Sequence, residues 1–131
     1  MGMLDGLVAL VNSGRERLGM EMARALAGQG AAVVLSGLHG RRSEGPRQTT
    51  EGGASEEGLV RDGGVEVAAG DTATLEGAQA VVEKVLSRHG KVDILVNDHG
   101  AVRSGSFQVL RPRQWERILQ AVLKSAFCCV R

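Results

Sequence analysis

The chain has 131 residues and a formal net charge of +1, a length that suits one modest domain. Hydrophobic residues make up 43% of the sequence, which is enough to form a core and argues against global disorder. The nearly balanced charge argues against a nucleic-acid-binding protein, and every apolar run is too short to span a membrane. The two cysteines, Cys128 and Cys129, are adjacent, which suits neither a disulfide framework nor a metal site. A cytoplasmic protein without a metal is therefore expected.

The first predicted unit is a strand, a turn and a helix. The apolar run Leu7–Val11 predicts a buried strand, and a polar turn follows it. The helix is indicated by apolar residues at i, i+4, i+7 and i+8, namely Leu18, Met22, Ala25 and Leu26. Such a unit directs backbone N–H groups and the positive end of the helix dipole at one point, which favours binding of a phosphate.

Further strands and helices alternate along the chain. Strands are predicted over Ala31–Ser36, Val65–Ala69 and Val92–Val96. Residues 37–64 are rich in glycine and predict a long loop, with weak helical potential over Ala54–Arg61. Residues 101–110 predict a second loop.

Two later helices are predicted by apolar periodicity. The first covers Thr74–His89, and its apolar face consists of Ala78, Val81, Val82, Val85 and Leu86. The second begins near Pro112 and continues to the end of the chain. Its apolar stripe consists of Trp115, Ile118, Leu119, Val122, Leu123, Ala126 and Phe127. The alternation predicts an α/β fold, a Rossmann-like doubly wound parallel sheet of about four strands. A flavodoxin-like strand order fits the same alternation.

The opening unit resembles that of the short-chain dehydrogenase/reductase family. There, the strand is followed by Thr-Gly-x-x-x-Gly-x-Gly and an Ala-rich helix. In register, Asn12 stands for the Thr, and the three glycine positions hold Ser13, Arg17 and Gly19. The first glycine of a dinucleotide fold makes the tight turn, the second admits the pyrophosphate and the third permits close helix–strand packing. This chain keeps only the packing glycine.

Three further segments carry the resemblance. Gly70-Asp71-Thr72 resembles the segment whose Asp meets the adenine. Asp93–Gly100 reads Asp-Ile-Leu-Val-Asn-Asp-His-Gly and resembles the family's Asp-Ile-Leu-Val-Asn-Asn-Ala-Gly. The segment from Trp115 to Phe127 resembles the long central helix. The Gly-rich insertion after Ser36 is most similar to members related to hydroxyacyl-CoA dehydrogenase domains.

The resemblance implies NAD or NADP as the cofactor. We expect this chain to bind the cofactor weakly or not at all. The implied cofactor-binding residues are Ser13, Arg17, Leu18, Gly19, Asp71, Thr72, Asn97 and Gly100. Arg17 is either a cation for the phosphates or a side chain that blocks their approach. At the end of the second strand, Gly37 replaces the acidic residue that would bind the ribose hydroxyls. Asp71 and Asn97 suit a helix cap or a turn equally well.

The catalytic residues of the family have no counterparts in this sequence. The resemblance implies general acid catalysis by a Tyr beside a Lys, helped by a Ser and an Asn. The sequence contains no Tyr, Val122 occupies the Asn position, and the chain ends before the strand that would carry the Ser. No catalytic residue is therefore predicted, and whether the chain is an enzyme stays open.

Residues 1–131 are interpreted as the N-terminal part of a single dinucleotide-binding domain, truncated before its second half, with 37–64 as a loop within it. Three functional readings remain open. The chain is a fragment of an NAD(P)-dependent oxidoreductase, a non-catalytic nucleotide-binding or oligomerisation module, or a decayed product without a ligand. The expected partners are a nicotinamide dinucleotide and a second copy bound through the C-terminal helix, with neither nucleic acid nor membrane.

Overall fold

The described residues of the computed structural model are 1–13, 16–37, 60–62, 64–72, 74–98 and 106–130. Their five strands form one sheet in the order β3-β4-β2-β1-β5. The strands are β1 (Val8–Ser13), β2 (Ala32–Gly37), β3 (Val60–Asp62), β4 (Val65–Ala69) and β5 (Ile94–Asp98). Four of them are parallel neighbours, so the predicted Rossmann-like parallel sheet is confirmed.

The helices follow the strands in the predicted alternation. They are α1 (Glu16–Gly28), α2 (Leu75–His89), α3 (Pro112–Leu119) and α4 (Ser125–Val130). The π-helical segment Gln120–Lys124 joins α3 to α4, and the 3-10 turn Phe107–Val109 precedes α3. The last predicted helix is therefore one continuous rod whose hydrogen-bonding pattern changes in its middle.

The two faces of the sheet carry separate apolar clusters. In β1, Ala9 and Val11 pack on the side of α1, in a cluster that includes Ala23. Val8 and Leu10 point to the opposite face and pack with Val81 and Val85 of α2. Because successive residues of a strand point to opposite faces, burial of both sets makes β1 the centre of a doubly wound sheet.

The apolar face of α1 differs from the sequence prediction. The residues buried in this helix are Gly19 and Ala23, whereas Leu18 is 44% exposed and Ala25 is exposed. A Cβ atom added at Gly19 would lie 2.6 Å from Ser13 Cβ and 3.1 Å from Leu35 Cδ1. Because the helix axis lies so close to the sheet, small residues occupy the centre of the contact and the large ones lie beside it.

Helix α2 follows the prediction more closely. Thr74 is its N-cap and accepts a hydrogen bond from Gly77 N at 3.1 Å. Gly90 ends the helix in the left-handed conformation, with φ of 77°. Ala78, Val81 and Val85 are buried as predicted, while Leu86 is 44% exposed.

The loop predicted over 37–64 is wrong at its end, because Val60–Asp62 form β3. This strand pairs antiparallel with β4, and Asp62 is opposite Val65. The tight hairpin turn contains Gly64 with φ of +86°, a conformation that glycine adopts without strain. Pairing with a neighbouring edge decides this strand, and local composition does not reveal it. Residues 38–59, which hold most of the predicted loop and weak helix, lie outside the described residues.

Strand boundaries also move toward the carboxyl end. β1 extends through Asn12 and Ser13, and β5 runs from Ile94 to Asp98 instead of Val92 to Val96. Polar residues predicted to form turns are therefore the last members of two neighbouring strands. No helix in the described part of the chain is long and apolar enough to cross a membrane.

Candidate cofactor site at the carboxyl edge of the sheet

The strand order reverses direction between β1 and β5. The strand that follows β1 in the chain, β2, lies on one side of it, and β5 lies on the other. In open α/β sheets, ligands bind beyond the carboxyl ends of the strands at such a switch in direction. The last residues of β1 and β5, Ser13 and Asp98, are partners in register there. The Ser13 hydroxyl donates to Asp98 Oδ2 at 3.3 Å.

The start of α1 lies beside this position. Gly19 is buried against Ser13, and a Cβ atom in its place would come within 2.7 Å of Ser13 Oγ. Gly19 therefore has the packing role that its motif position implies. It lets the first turn of α1 approach the end of β1, which brings the positive end of the helix dipole to the switch point.

A row of polar side chains crosses the sheet one residue below the strand ends. Asn12 of β1 is in register with Ser36 of β2 and with Asn97 of β5. Asn12 Nδ2 donates to Asn97 Oδ1 at 3.1 Å, and the Ser36 hydroxyl donates to Asn12 Oδ1 at 3.2 Å. Three neighbouring strands are thus joined through the side chain of the central one.

Helix α4 and the end of β4 complete this network. The Thr72 hydroxyl donates to Asn12 Oδ1 at 2.8 Å and lies 3.0 Å from Ser125 Oγ. Asn12 Nδ2 lies 3.1 Å from Ser125 Oγ and 3.2 Å from Cys129 Sγ. We call Asn12, Ser36, Thr72 and Ser125 the buried polar network, because each is at most 1% exposed.

The hydrogen-bonding capacity of Asn12 matches its surroundings. An amide oxygen accepts two hydrogen bonds and an amide nitrogen donates two. Asn12 Oδ1 faces two hydroxyl donors, while Nδ2 divides its two hydrogens among three acceptors. No buried side-chain N or O atom in the described residues lacks a hydrogen-bond partner. The network lies just below the strand ends at the switch point and joins α4 to the sheet.

Sequence-predicted site residues fall into different environments. Arg17 and Leu18 are exposed in the first turn of α1. Asp71 is exposed after β4, where its carbonyl oxygen accepts from Thr74 N at 3.2 Å and from Thr74 Oγ1 at 3.0 Å. Thr72 instead lies inside the protein, where its hydroxyl belongs to the network. Gly100 lies outside the described residues.

Val122 lies in the π-helical segment. The pattern of backbone hydrogen bonds changes here, because the Ser125 N–H donates to the carbonyl of Gln120, five residues earlier. Val122 is half-buried and brings an apolar side chain to the position that the resemblance assigns to an Asn. The next turn brings Ser125 to Asn12, so the segment supplies a network residue and no polar group at the Asn position.

Ionisable groups near the carboxyl edge are few among the described residues. Burial and the neighbouring Cys128 raise the pKa of the Cys129 thiol, which favours its neutral form. Asp98 is half-buried, and no described Lys, Arg or His forms an ion pair with it. In the same residues, no group of three His, Cys, Asp or Glu side chains could hold a metal ion.

Three residues of this edge were not singled out from the sequence. Ser36 and Ser125 are ordinary residues of a strand and a helix, and their role depends on the position of Asn12. Asp98 did carry a signal, since the resemblance places an Asn there. The switch point, Gly19 and the start of α1 fit a dinucleotide, whereas a carboxylate at the end of β5 does not complement its phosphates.

Comparison with known proteins supports this geometry. A family model described as short chain dehydrogenase matches residues 7–131. Peroxisomal multifunctional enzyme type 2 of Drosophila melanogaster is 34% identical over 126 residues, which are 95% of this chain and 21% of that protein. The 3-oxoacyl-[acyl-carrier-protein] reductase of Escherichia coli is 30% identical over 125 residues, 94% of this chain and 46% of the enzyme.

A solved structure has the same fold over nearly the whole of this chain. The 3-ketoacyl-(acyl-carrier-protein) reductase from Brucella melitensis, complexed with NADH, superposes with a TM-score of 0.71 at 25% identity. The match covers 98% of this chain and 48% of that one. The chain thus spans about half the length, or less, of these relatives.

Proposed function

Because the chain belongs to the short-chain dehydrogenase family, we propose that its carboxyl edge binds a nicotinamide dinucleotide weakly and does not transfer hydride by itself. The observation that supports binding is the packing of Gly19 against Ser13, which brings the start of α1 to the switch point between β1 and β5. The cofactor would supply the hydride chemistry, and Ser13, Gly19, Asp71 and Asn97 are described residues that would hold its nucleotide.

The proposed inactivity follows from the side chains. A general acid must lie within hydrogen-bond reach of the substrate oxygen and must hold a proton to give. The sequence has no Tyr, and Val122 neither donates nor accepts. Residues 1–131 would then be the N-terminal part of a dinucleotide-binding domain, and the proposed location is the cytoplasm.

Purified chain is tested first for turnover. We expect no substrate-dependent oxidation of NADPH or NADH in the presence of ketone, aldehyde or 3-oxoacyl thioester substrates, compared with a reaction lacking protein. Steady oxidation that scales with protein concentration would contradict the inactive reading.

Binding is tested by calorimetry with NADH and NADPH. We expect weak binding that strengthens in the double variant Ser13→Gly, Arg17→Gly, because both substitutions restore a glycine of the motif. Glycine at 13 also removes the hydroxyl that donates to Asp98. Tight binding by the unchanged chain, or a double variant that binds no better, would show that these two side chains do not weaken the site.

Self-association through the C-terminal helix is a second proposal. Large apolar side chains are exposed along the rod formed by α3, the π segment and α4: Trp115 (43%), Leu123 (63%), Phe127 (60%) and Val130 (72%). Several large apolar side chains left exposed on one helical rod are typical of an interface. Sedimentation velocity should show dimers or larger species, and Leu123→Glu with Phe127→Glu should shift them toward monomer. A wild-type monomer at high concentration would contradict it.

A further inference from the structure

Asp98 has the position of a ligand-facing residue. It is the last residue of β5 and is in register with Ser13, the last residue of β1. These two strands bound the switch point, beyond which a ligand of an open parallel sheet binds. Asp98 is therefore one of the two described side chains at the rim of the candidate site.

The contact between these side chains sets the polarity of the rim. Ser13 Oγ donates to Asp98 Oδ2 at 3.3 Å, so in this geometry the hydroxyl hydrogen points toward the carboxylate. Gly19 packs against Ser13, which limits movement of the serine. A phosphate oxygen at this rim would meet a carboxylate instead of a hydroxyl donor.

No described cation forms an ion pair with the Asp98 carboxylate. The ion pairs of the described residues join Arg24 to Glu21, Arg88 and His89 to Glu66, and Lys91 to Asp93. None of these ion pairs includes Asp98 or a residue of β5. At half-buried positions the effective dielectric constant is lower than in water, so a carboxylate acts over several ångströms.

We propose, building on the proposed dinucleotide site, that Asp98 is a specificity-determining residue that weakens binding of phosphate-bearing nucleotides. Its charge repels the diphosphate of the dinucleotide, and its oxygen holds the Ser13 hydrogen that would otherwise be donated to a phosphate. The same rim accepts an uncharged nucleoside without this penalty. The site therefore discriminates between ligands by the charge of their phosphates.

The test compares a charged and an uncharged ligand on the full chain. Calorimetry with NADH and with adenosine is carried out on wild type, Asp98→Asn and the control Glu83→Gln. The control removes one carboxylate from an exposed position of α2. We expect Asp98→Asn to strengthen NADH binding roughly tenfold, to leave adenosine binding within about twofold, and to lose most of its advantage at high salt. Glu83→Gln should change neither ligand.

Each outcome bears on the inference. Equal NADH affinity of wild type and Asp98→Asn overturns the role of Asp98 while leaving the proposed dinucleotide site intact. An equal gain for adenosine shows an effect of shape and also overturns the charge assignment. If neither protein binds either ligand, the proposed site itself fails and the inference fails with it. Asp98→Ser, which removes the charge with a smaller side chain, provides the same comparison should the Asn variant not fold.

Discussion

The two edges of the sheet hold their polar groups in opposite ways. At the amino edge, Asp93 Oδ2 accepts from Val8 N at 2.8 Å and from Lys91 Nζ at 2.9 Å. These groups are charged and reach water. At the carboxyl edge, the buried polar network around Asn12 consists of neutral side chains that water does not reach. Between Asp93 and Asn12, charge is therefore found where solvent screens it, and saturated neutral hydrogen bonds are found where solvent is absent.

We expect the largest loss of stability from a substitution at the centre of the buried polar network. Asn12→Ala removes the shared partner of Ser36, Thr72 and Ser125 and leaves their hydroxyls under-satisfied in a dry interior. We expect the free energy of unfolding to fall by about 2–4 kcal/mol, measured by urea denaturation. Asn97→Ala, which removes an exposed partner of the same amide, should cost less than about 1 kcal/mol.

A result in which the two alanine variants lose equal stability would contradict the distinction between buried and solvent-exposed polar groups. Asn12→Thr is informative between these limits. It restores the residue that the family motif has and introduces one hydroxyl in place of the amide, but it lacks the amide nitrogen that reaches Ser125 of α4.

A smaller effect is expected from crowding at the carboxyl edge. Gly19→Ala places a Cβ atom against Ser13 and Leu35, so we expect a loss of roughly 1–3 kcal/mol from overpacking. Its matched control is Gly28→Ala in the same helix, where an added Cβ meets nothing within 4 Å. That control should be neutral or stabilising by up to about 1 kcal/mol. Similar thermal midpoints for the two variants would show that α1 can move away from β1 at little cost.

The amino edge gives the smallest effect, and this effect depends on pH. The Val8 N–H, together with Lys91, lowers the pKa of Asp93 below its ordinary value of 3.8. A carboxyl whose pKa is lowered by folding stabilises the protein above its ordinary pKa, and that contribution is lost as pH falls through the folded value. Asp93→Asn should therefore be slightly less stable than wild type at neutral pH, and the difference should disappear well below pH 3.8.

Thermal unfolding of wild type, Asp93→Asn and the control Glu83→Gln measures this difference in stability, at neutral pH and again well below pH 3.8. Because Asp93 is in contact with water, the shift in midpoint should be smaller than that of Gly19→Ala. A difference that persists in acid would assign the role of Asp93 to its shape and not to its charge.

Much of the architecture could be predicted because the alternation of apolar runs records burial. β4 was predicted with its observed bounds, and α2 was predicted to begin one residue before its observed start and to end where it does. β3 could not be predicted, since three residues in a Gly-rich stretch become a strand only when the edge of β4 is available to them. The buried face of α1 differs from the predicted one. Apolar periodicity gives most weight to large residues, whereas close packing against the sheet selects Gly19 and Ala23.

Some residues of the candidate site could also be predicted from the sequence, because family motifs occur at the ends of strands. The resemblance predicted Ser13, Gly19 and Asn97 as cofactor-binding residues, and all three lie at or beside the carboxyl ends of β1 and β5. It could not indicate that Thr72 is buried, or that Ser125 reaches Asn12, because these relations depend on how α4 crosses the sheet. Asp98 was visible as a departure from the motif, but its importance follows from its register with Ser13.

The π-helical segment has a consequence for any redesign of the C-terminal rod. Across an uninterrupted α-helix, residues four apart share a side of the surface. Across Gln120–Lys124 the backbone partner is five residues away, as in Gln120 and Ser125, and one added residue rotates everything that follows by about 100°. A helical wheel drawn from Trp115 to Phe127 therefore superimposes two surfaces that do not coincide. Engineered ion pairs or staples that cross the segment should use a spacing of five, and deletion of one residue there would turn Ser125 away from Asn12.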